Sequence, residues 1–93
     1  MAAYVVFIRE GAVVDQAAMD AYTGGMRKPP ANLKPLVVYG EMETIEGESA
    51  EGMVILEFPD VAAAREWYNG DYFEHAKLRQ QAAPYRGFIV QGL

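Results

Sequence analysis

Three side chains in the last third of the chain carry the types and spacing that can do chemistry. Tyr72, His75 and Arg79 stand at i, i+3 and i+7, which on a helix places them on one side. His75 is the only histidine and so the one side chain whose ordinary pKa lies near neutrality. Arg79 is suited to gripping a carboxylate or an enolate, with His75 carrying a proton beside it. His75 and Arg79 are therefore the catalytic candidates. The bland account of the same residues is a packed Tyr72, a half-exposed His75 and an Arg79 that holds a helix end or an acidic partner.

Other residues qualify as walls or mouth of a ligand pocket. Trp67 and Tyr68 can supply an aromatic wall, although their spacing of three and four from Ala64 also describes the buried stripe of a helix. Tyr22 can offer its hydroxyl to the same cavity, or simply be buried with one hydrogen bond. Arg9 and Glu41, near predicted strand ends, are charges at the mouth. The acidic run Glu41, Glu43, Glu46, Glu48 and Glu51 has neither Asp-x-Asp spacing nor a histidine, so it reads as a solvated hairpin rather than a metal site. No P-loop, dinucleotide fingerprint, GxSxG or zinc spacing occurs in the sequence, and no metal or other cofactor is expected.

These residues must be positioned by a small set of elements. Residues 3–9 are β-branched and aromatic on both alternations, the pattern of a strand covered on both faces. Asp15 can cap a helix running to about residue 24, with Ala18, Met19 and Tyr22 on one stripe. Gly24-Gly25 stops it, and a basic, proline-rich loop follows over 27–35, an ordered connection or a lid. A second strand is predicted over 36–45, alternating toward its end as an edge strand does. After an acidic hairpin, residues 53–58 form a third, apolar and central strand beside the first.

The stretch from Glu57 to Tyr72 organises what comes next. Pro59 ends the strand and Asp60 caps a helix rich in alanine. Asn69-Gly70 offers the left-handed backbone that ends that helix, and Asp71 with Glu74 forms a capping box for another. Pro84 breaks the pattern, and 86–91 give a fourth strand. The predicted order is βαββααβ, an α+β, ferredoxin-like antiparallel sheet with helices on one face and the second helix split in two. Because both alternations of strands one and three are apolar, the other face is expected to pack on an identical sheet, making a homodimer.

Composition agrees with this and removes other classes. At 93 residues the chain is a single domain spanning 1–93, and 52% of it is hydrophobic, generous for one sheet-and-helix layer. A net charge of −5 and a pI near 4.7 disfavour nucleic acid and anionic membranes. There is no cysteine, which excludes disulfides and thiol catalysis and is compatible with a reducing compartment. The apolar run from Tyr4 to Ile8 is too short for a signal core and nothing approaches a membrane span, so a cytoplasmic protein is expected.

The residues also resemble a known family. Tyr22, Glu46-Gly47, Glu57-Phe58-Pro59, Ala64, Trp67-Tyr68, Tyr72, Arg79, Ala82-Ala83 and Gly92 together are similar to the dimeric α/β-barrel superfamily, and within it to domain of unknown function 1330. The resemblance implies a βαββαβ subunit whose sheet faces that of a twin. The chain departs from the family pattern at Asn32-Leu33-Lys34-Pro35, where relatives carry a double glycine, and at Gly70-Asp71, where they carry Ser-Pro. Three functional readings follow. The first is a homodimer binding a small, partly apolar or aromatic ligand between helices and sheet. The second, by analogy of fold, is a cofactor-free enzyme of monooxygenase, isomerase or dehydratase type acting on small organic acids or phenolics. The third is a purely structural dimer.

Overall fold

A computed structural model describes residues 1–24, 31–70 and 72–93, the side chains of residues 23 and 24 excepted. The expected stop at Gly25, residues 27–30 of the basic loop and the Asp71 capping box lie outside the described residues, and Lys34 and Pro35 of that loop belong to the second strand. In chain order the elements are β1 (Ala3–Arg9), α1 (Gln16–Gly24), β2 (Lys34–Val38), β3 (Gly52–Phe58), α2 (Val61–Asn69), α3 (Phe73–Ala82) and β4 (Tyr85–Gln91). The four strands form one antiparallel sheet ordered β2-β3-β1-β4. This is the α+β, ferredoxin-like arrangement that the sequence predicts, with its second helix divided in two.

Local chemistry sets the element ends. Asp15 accepts from the Ala18 amide at 3.0 Å, and Asp60 accepts from that of Ala63 at 2.7 Å; both carboxylates satisfy amides that a first helical turn leaves unpaired. Asp15 also accepts from Gln81 at 3.0 Å, tying α1 to α3. Its pKa is lowered, first by the Ala18 amide and then by Gln81. At the break between α2 and α3, Gly70 has φ −104°, so the expected left-handed stop is corrected. The glycine is required instead by crowding, since a Cβ there would lie 2.8 Å from the Glu66 carbonyl oxygen. That carbonyl accepts from the Gly70 amide at 2.9 Å.

The second strand is shorter than expected: it ends at Val38, and residues 39–51 form no strand. Tyr39 has a φ of +52°, a left-handed conformation uncommon in a residue with a side chain, and it turns the chain off the sheet edge. Its ring then lies over Gly52, where a Cβ would come within 2.6 Å of the ring. A bulge between Pro35 and Val37 further shortens the regular pairing.

Register separates the two faces of the sheet. Ala3, Val5 and Phe7 are buried under the helices, joined by Leu56 and Phe58 of β3 and by Ala64, Tyr72, Ala76, Ala83 and Tyr85. Arg9 shares that side, paired with Gly52 and Tyr85. On the opposite side Tyr4, Val6 and Ile8 lie beside Ile55 and Met53 of β3 and beside Phe88 and Val90 of β4. Phe88 and Val90 are 40% and 48% exposed. No described element covers that apolar surface.

Candidate functional site

The helix-side face gathers rings around one cation. Tyr72, at the start of α3, stacks on Trp67 with centroids 4.3 Å apart and on Phe7 at 5.7 Å. Phe58 supports Trp67 at 5.3 Å, and Tyr68 approaches Tyr72 at 5.9 Å. One helical face further along, Arg79 is only 2% exposed. Its guanidinium carbon lies 3.8 Å from the centroid of Phe7, 5.0 Å from that of Tyr85 and 5.6 Å from that of Tyr72, cation–π contacts that strengthen when water is excluded. The room for so large a group comes from Ala76, Ala82 and Ala83, all buried, which let α3 pack closely on either side.

Arg79 is held by hydrogen bonding as well as by rings. Nη1 donates to the Tyr72 hydroxyl at 3.3 Å, and that hydroxyl is paired with the Tyr22 hydroxyl of α1 at 2.6 Å. Nε is buried with no partner, and among the described residues no carboxylate forms an ion pair with Arg79. A second phenol pair adjoins the first: the hydroxyls of Tyr39 and Tyr85 are 2.6 Å apart. Arg9 places its guanidinium carbon 5.6 Å from the Tyr39 centroid, and its Nε is likewise buried and unpartnered.

The phenols are electrically one group. Burial raises the pKa of Tyr72 far above the ordinary phenol value, with the Tyr22 neighbour adding to it and Arg79 opposing. Burial likewise raises Tyr39, reinforced by its bond to Tyr85, and raises Tyr22 against the pull of its bond to Tyr72 and of the Arg79 charge. All three therefore remain neutral hydroxyls at physiological pH. They are hydrogen-bond donors there and not phenolate bases.

The structure brings most of the expected residues together. Tyr22, Trp67, Tyr68, Tyr72 and Arg79 meet as described, and Arg9 joins them through Tyr39. His75 lies at the margin, its ring centroid 6.2 Å from that of Tyr72 and 6.4 Å from that of Tyr22, with Nδ1 buried and without a partner. Glu41 stands apart, exposed in the irregular segment after β2. Three members escape a reading of the sequence: Phe7, Tyr39 and Tyr85. Pairing β1 with β4 would set Tyr85 beside Arg9, but the reach of Tyr39 across to Tyr85 needs the left-handed turn that no motif announces.

Among the described residues a cavity of about 270 Å³ opens at the opposite end of the sheet, lined by Ala2, Asn32, Lys34, Glu57, Phe58 and Pro59. It holds no buried ionisable side chain, whereas the Arg79 cluster holds a buried cation. No three histidine, aspartate or glutamate side chains converge as metal ligands among the described residues, and no helix there is long and apolar enough to cross a membrane.

Residues 2–93 match the sequence profile of a family described as Domain of unknown function (DUF1330). The chain belongs to that family. A comparison with curated proteins found no match. The match spans every element of this DUF1330 domain, so the aromatic cluster and the uncovered sheet face both lie within it.

Proposed function

We propose that this DUF1330 protein is a cytoplasmic homodimer that holds a small, partly apolar or aromatic molecule between its helices and its sheet, at the Arg79 cluster. The observation that carries the reading is the buried guanidinium of Arg79, ringed by Phe7, Tyr72 and Tyr85 and without a carboxylate partner among the described residues. A cation withdrawn from water without a counter-charge costs free energy, and a chain that needed only to pack would place leucine or methionine there. Dimerisation is supported by the far face of the sheet, where Tyr4, Val6, Ile8, Met53, Ile55, Phe88 and Val90 form an apolar surface bordered by Glu57 and Arg86 and covered by no described element. That surface suits a second copy because a two-fold axis lets each residue meet its own complement.

The test has two arms on the purified protein. Sedimentation velocity at micromolar concentration is expected to give a dimer that Ile55→Lys converts to a monomer, a lone wild-type subunit being the contrary result. A thermal-shift and calorimetric screen over small aromatic acids, amides, amines and phenols is expected to find binders that perturb Tyr22, Tyr72 and Arg79. A screen in which none of these perturbs that cluster would remove the ligand reading.

A further inference from the structure

We propose that the molecule taken up at this cluster is an anion, a carboxylate carried on a planar apolar body, with its charged end on Arg79; the inference rests on the ligand-binding reading above. It follows from a count of donors and acceptors. Two hydroxyls that bond to each other use one of their two hydrogens, whichever donates. Among the described residues, the Tyr22–Tyr72 pair and the Tyr39–Tyr85 pair therefore each keep one hydrogen unspent. To these are added the unpartnered Nε–H of Arg79 and that of Arg9. Burial holds Tyr22, Tyr39 and Tyr72 protonated, so these hydrogens stay available.

Among the described residues, no carboxylate forms an ion pair with Arg79 or Arg9. On the elements around Arg79, the acidic groups are engaged elsewhere or face water. Asp15 receives the Ala18 amide and Gln81, and Asp20 receives Gln16 at an exposed site. Glu74 meets Lys77 in solvent, and Glu10 faces Arg86 at 3.6 Å, both well exposed. Glu66 on α2 and Glu51, whose amide donates to the Arg9 carbonyl, are exposed; His75, whose Nδ1 is unpartnered, and Arg9 also adjoin the cluster. A lining that offers hydrogens and positive charge beside the rings of Phe7, Trp67 and Tyr85, which stack on Tyr72 or on Arg79 itself, is complementary to an acid with an apolar body. It is poorly matched to an amine, which would add donor to donor and cation to cation.

The choice of carboxylate over a hydrated dianion follows from the rings. A guanidinium whose face is occupied by Phe7 presents its edge, and the edge of a guanidinium matches the two oxygens of a carboxylate. The aromatic neighbours then receive the rest of the molecule. Arg9, whose Nε is unpartnered beside the Tyr39 ring, supplies a second cation at the same end of the sheet.

Matched pairs of ligands separate the possibilities. Benzoate and benzamide, and phenylacetate and phenylacetamide, are titrated into the full-length protein by calorimetry, with benzylamine and sodium chloride as further probes. Binding is also followed by the Nε–H resonance of Arg79. The acids are expected to bind about tenfold or more tightly than their amides, to shift that resonance, and to lose their advantage in Arg79→Gln. Benzylamine is expected not to bind. Amides that bind as tightly as acids would overturn the anion inference while leaving the binding site in place. A shift of equal size from chloride alone would overturn the assigned apolar body. Failure of every aromatic probe to move Tyr22, Tyr72 or Arg79 would overturn the binding reading itself. Should Arg79→Gln not fold, the wild-type acid-to-amide ratio and the Nε–H shift distinguish the same outcomes, with Arg9→Gln expected to weaken the acids but not the amides.

Discussion

Replacing Arg79 by methionine is expected to make the unliganded protein more stable and unable to bind acids. The side chain is almost fully buried, and its interactions can be weighed against one another. The hydrogen bond to Tyr72 is long, 3.3 Å, and contributes about 1 kcal/mol net. The close ring face of Phe7 at 3.8 Å adds about 1–2 kcal/mol when desolvated. Against these stands the loss of hydration of a guanidinium with no counter-ion among the described residues, several kcal/mol even after relaxation. Methionine is unbranched, fills much of the vacated volume and keeps favourable contacts with the surrounding rings. Tyr72 retains Tyr22 as its hydrogen-bond partner, so no buried hydroxyl is orphaned.

The balance favours the variant by about 1–2 kcal/mol, which in a domain of this size is roughly 4–16 °C in melting temperature. Thermal and urea unfolding of both proteins at one fixed concentration measures it, because a dimer melts in a concentration-dependent way. A variant that melts several degrees lower, with its secondary structure intact, would show that the guanidinium holds the fold together and would refute the reasoning from an uncompensated charge. Arg79→Ala serves as the contrast, since there a cavity opposes the relief of charge.

Alkaline pH should weaken the fold through the phenols. The pKa values of Tyr22, Tyr39 and Tyr72 are raised, so the folded state holds protons that the unfolded chain releases near pH 10. Their contribution is complete below that pH and is lost as pH rises above it. Absorbance at 295 nm should show part of the six tyrosines ionising only with unfolding, and six normal titrations in a folded protein would contradict this. Asp60→Ala should cost about 1 kcal/mol by removing the cap of α2, with Asp60→Asn nearly neutral in urea unfolding; equal losses in the two variants would mean that the carboxylate matters for its charge rather than its bond.

Much of the scaffold was legible because it rests on local rules. Alternating apolar residues on both sides of 3–9 and 53–58 announce two central strands, and Pro59-Asp60 announces the passage from strand to helix. The failures share another origin. The left-handed turn at Tyr39 depends on a bond to Tyr85, 46 residues away, and on the bare surface of Gly52, neither of which leaves a local trace. Gly70 was legible as a helix end but not in its conformation, since crowding against Glu66 rather than a positive φ demands the glycine. The spacing of Tyr72, His75 and Arg79 shows that they share a side; it does not tell which side is covered. The alanines at 76, 82 and 83 were the available sign, because a helix stripe of small residues around an arginine leaves space for a buried guanidinium.

The two faces of the sheet are built from different chemistry. The far face carries Val6, Ile8, Met53, Ile55, Phe88 and Val90 with the Tyr4 hydroxyl, and its charged groups, Glu57 and Arg86, stand opposite Tyr4 and Ile8. The near face, under the helices, gathers four tyrosine hydroxyls and two guanidinium groups, with Tyr72, Tyr85 and Arg79 buried and Tyr39 45% exposed. A core selected for packing alone would reverse that allocation, because each buried hydroxyl must find a partner and each buried cation must be compensated. Phenylalanine and leucine would serve the near face at lower cost. The Arg79 cation is retained where water is excluded, and Phe88 and Val90 where, in a lone subunit, water would reach them. That inversion fits a sheet whose outer side meets its twin and whose inner side receives a charged guest.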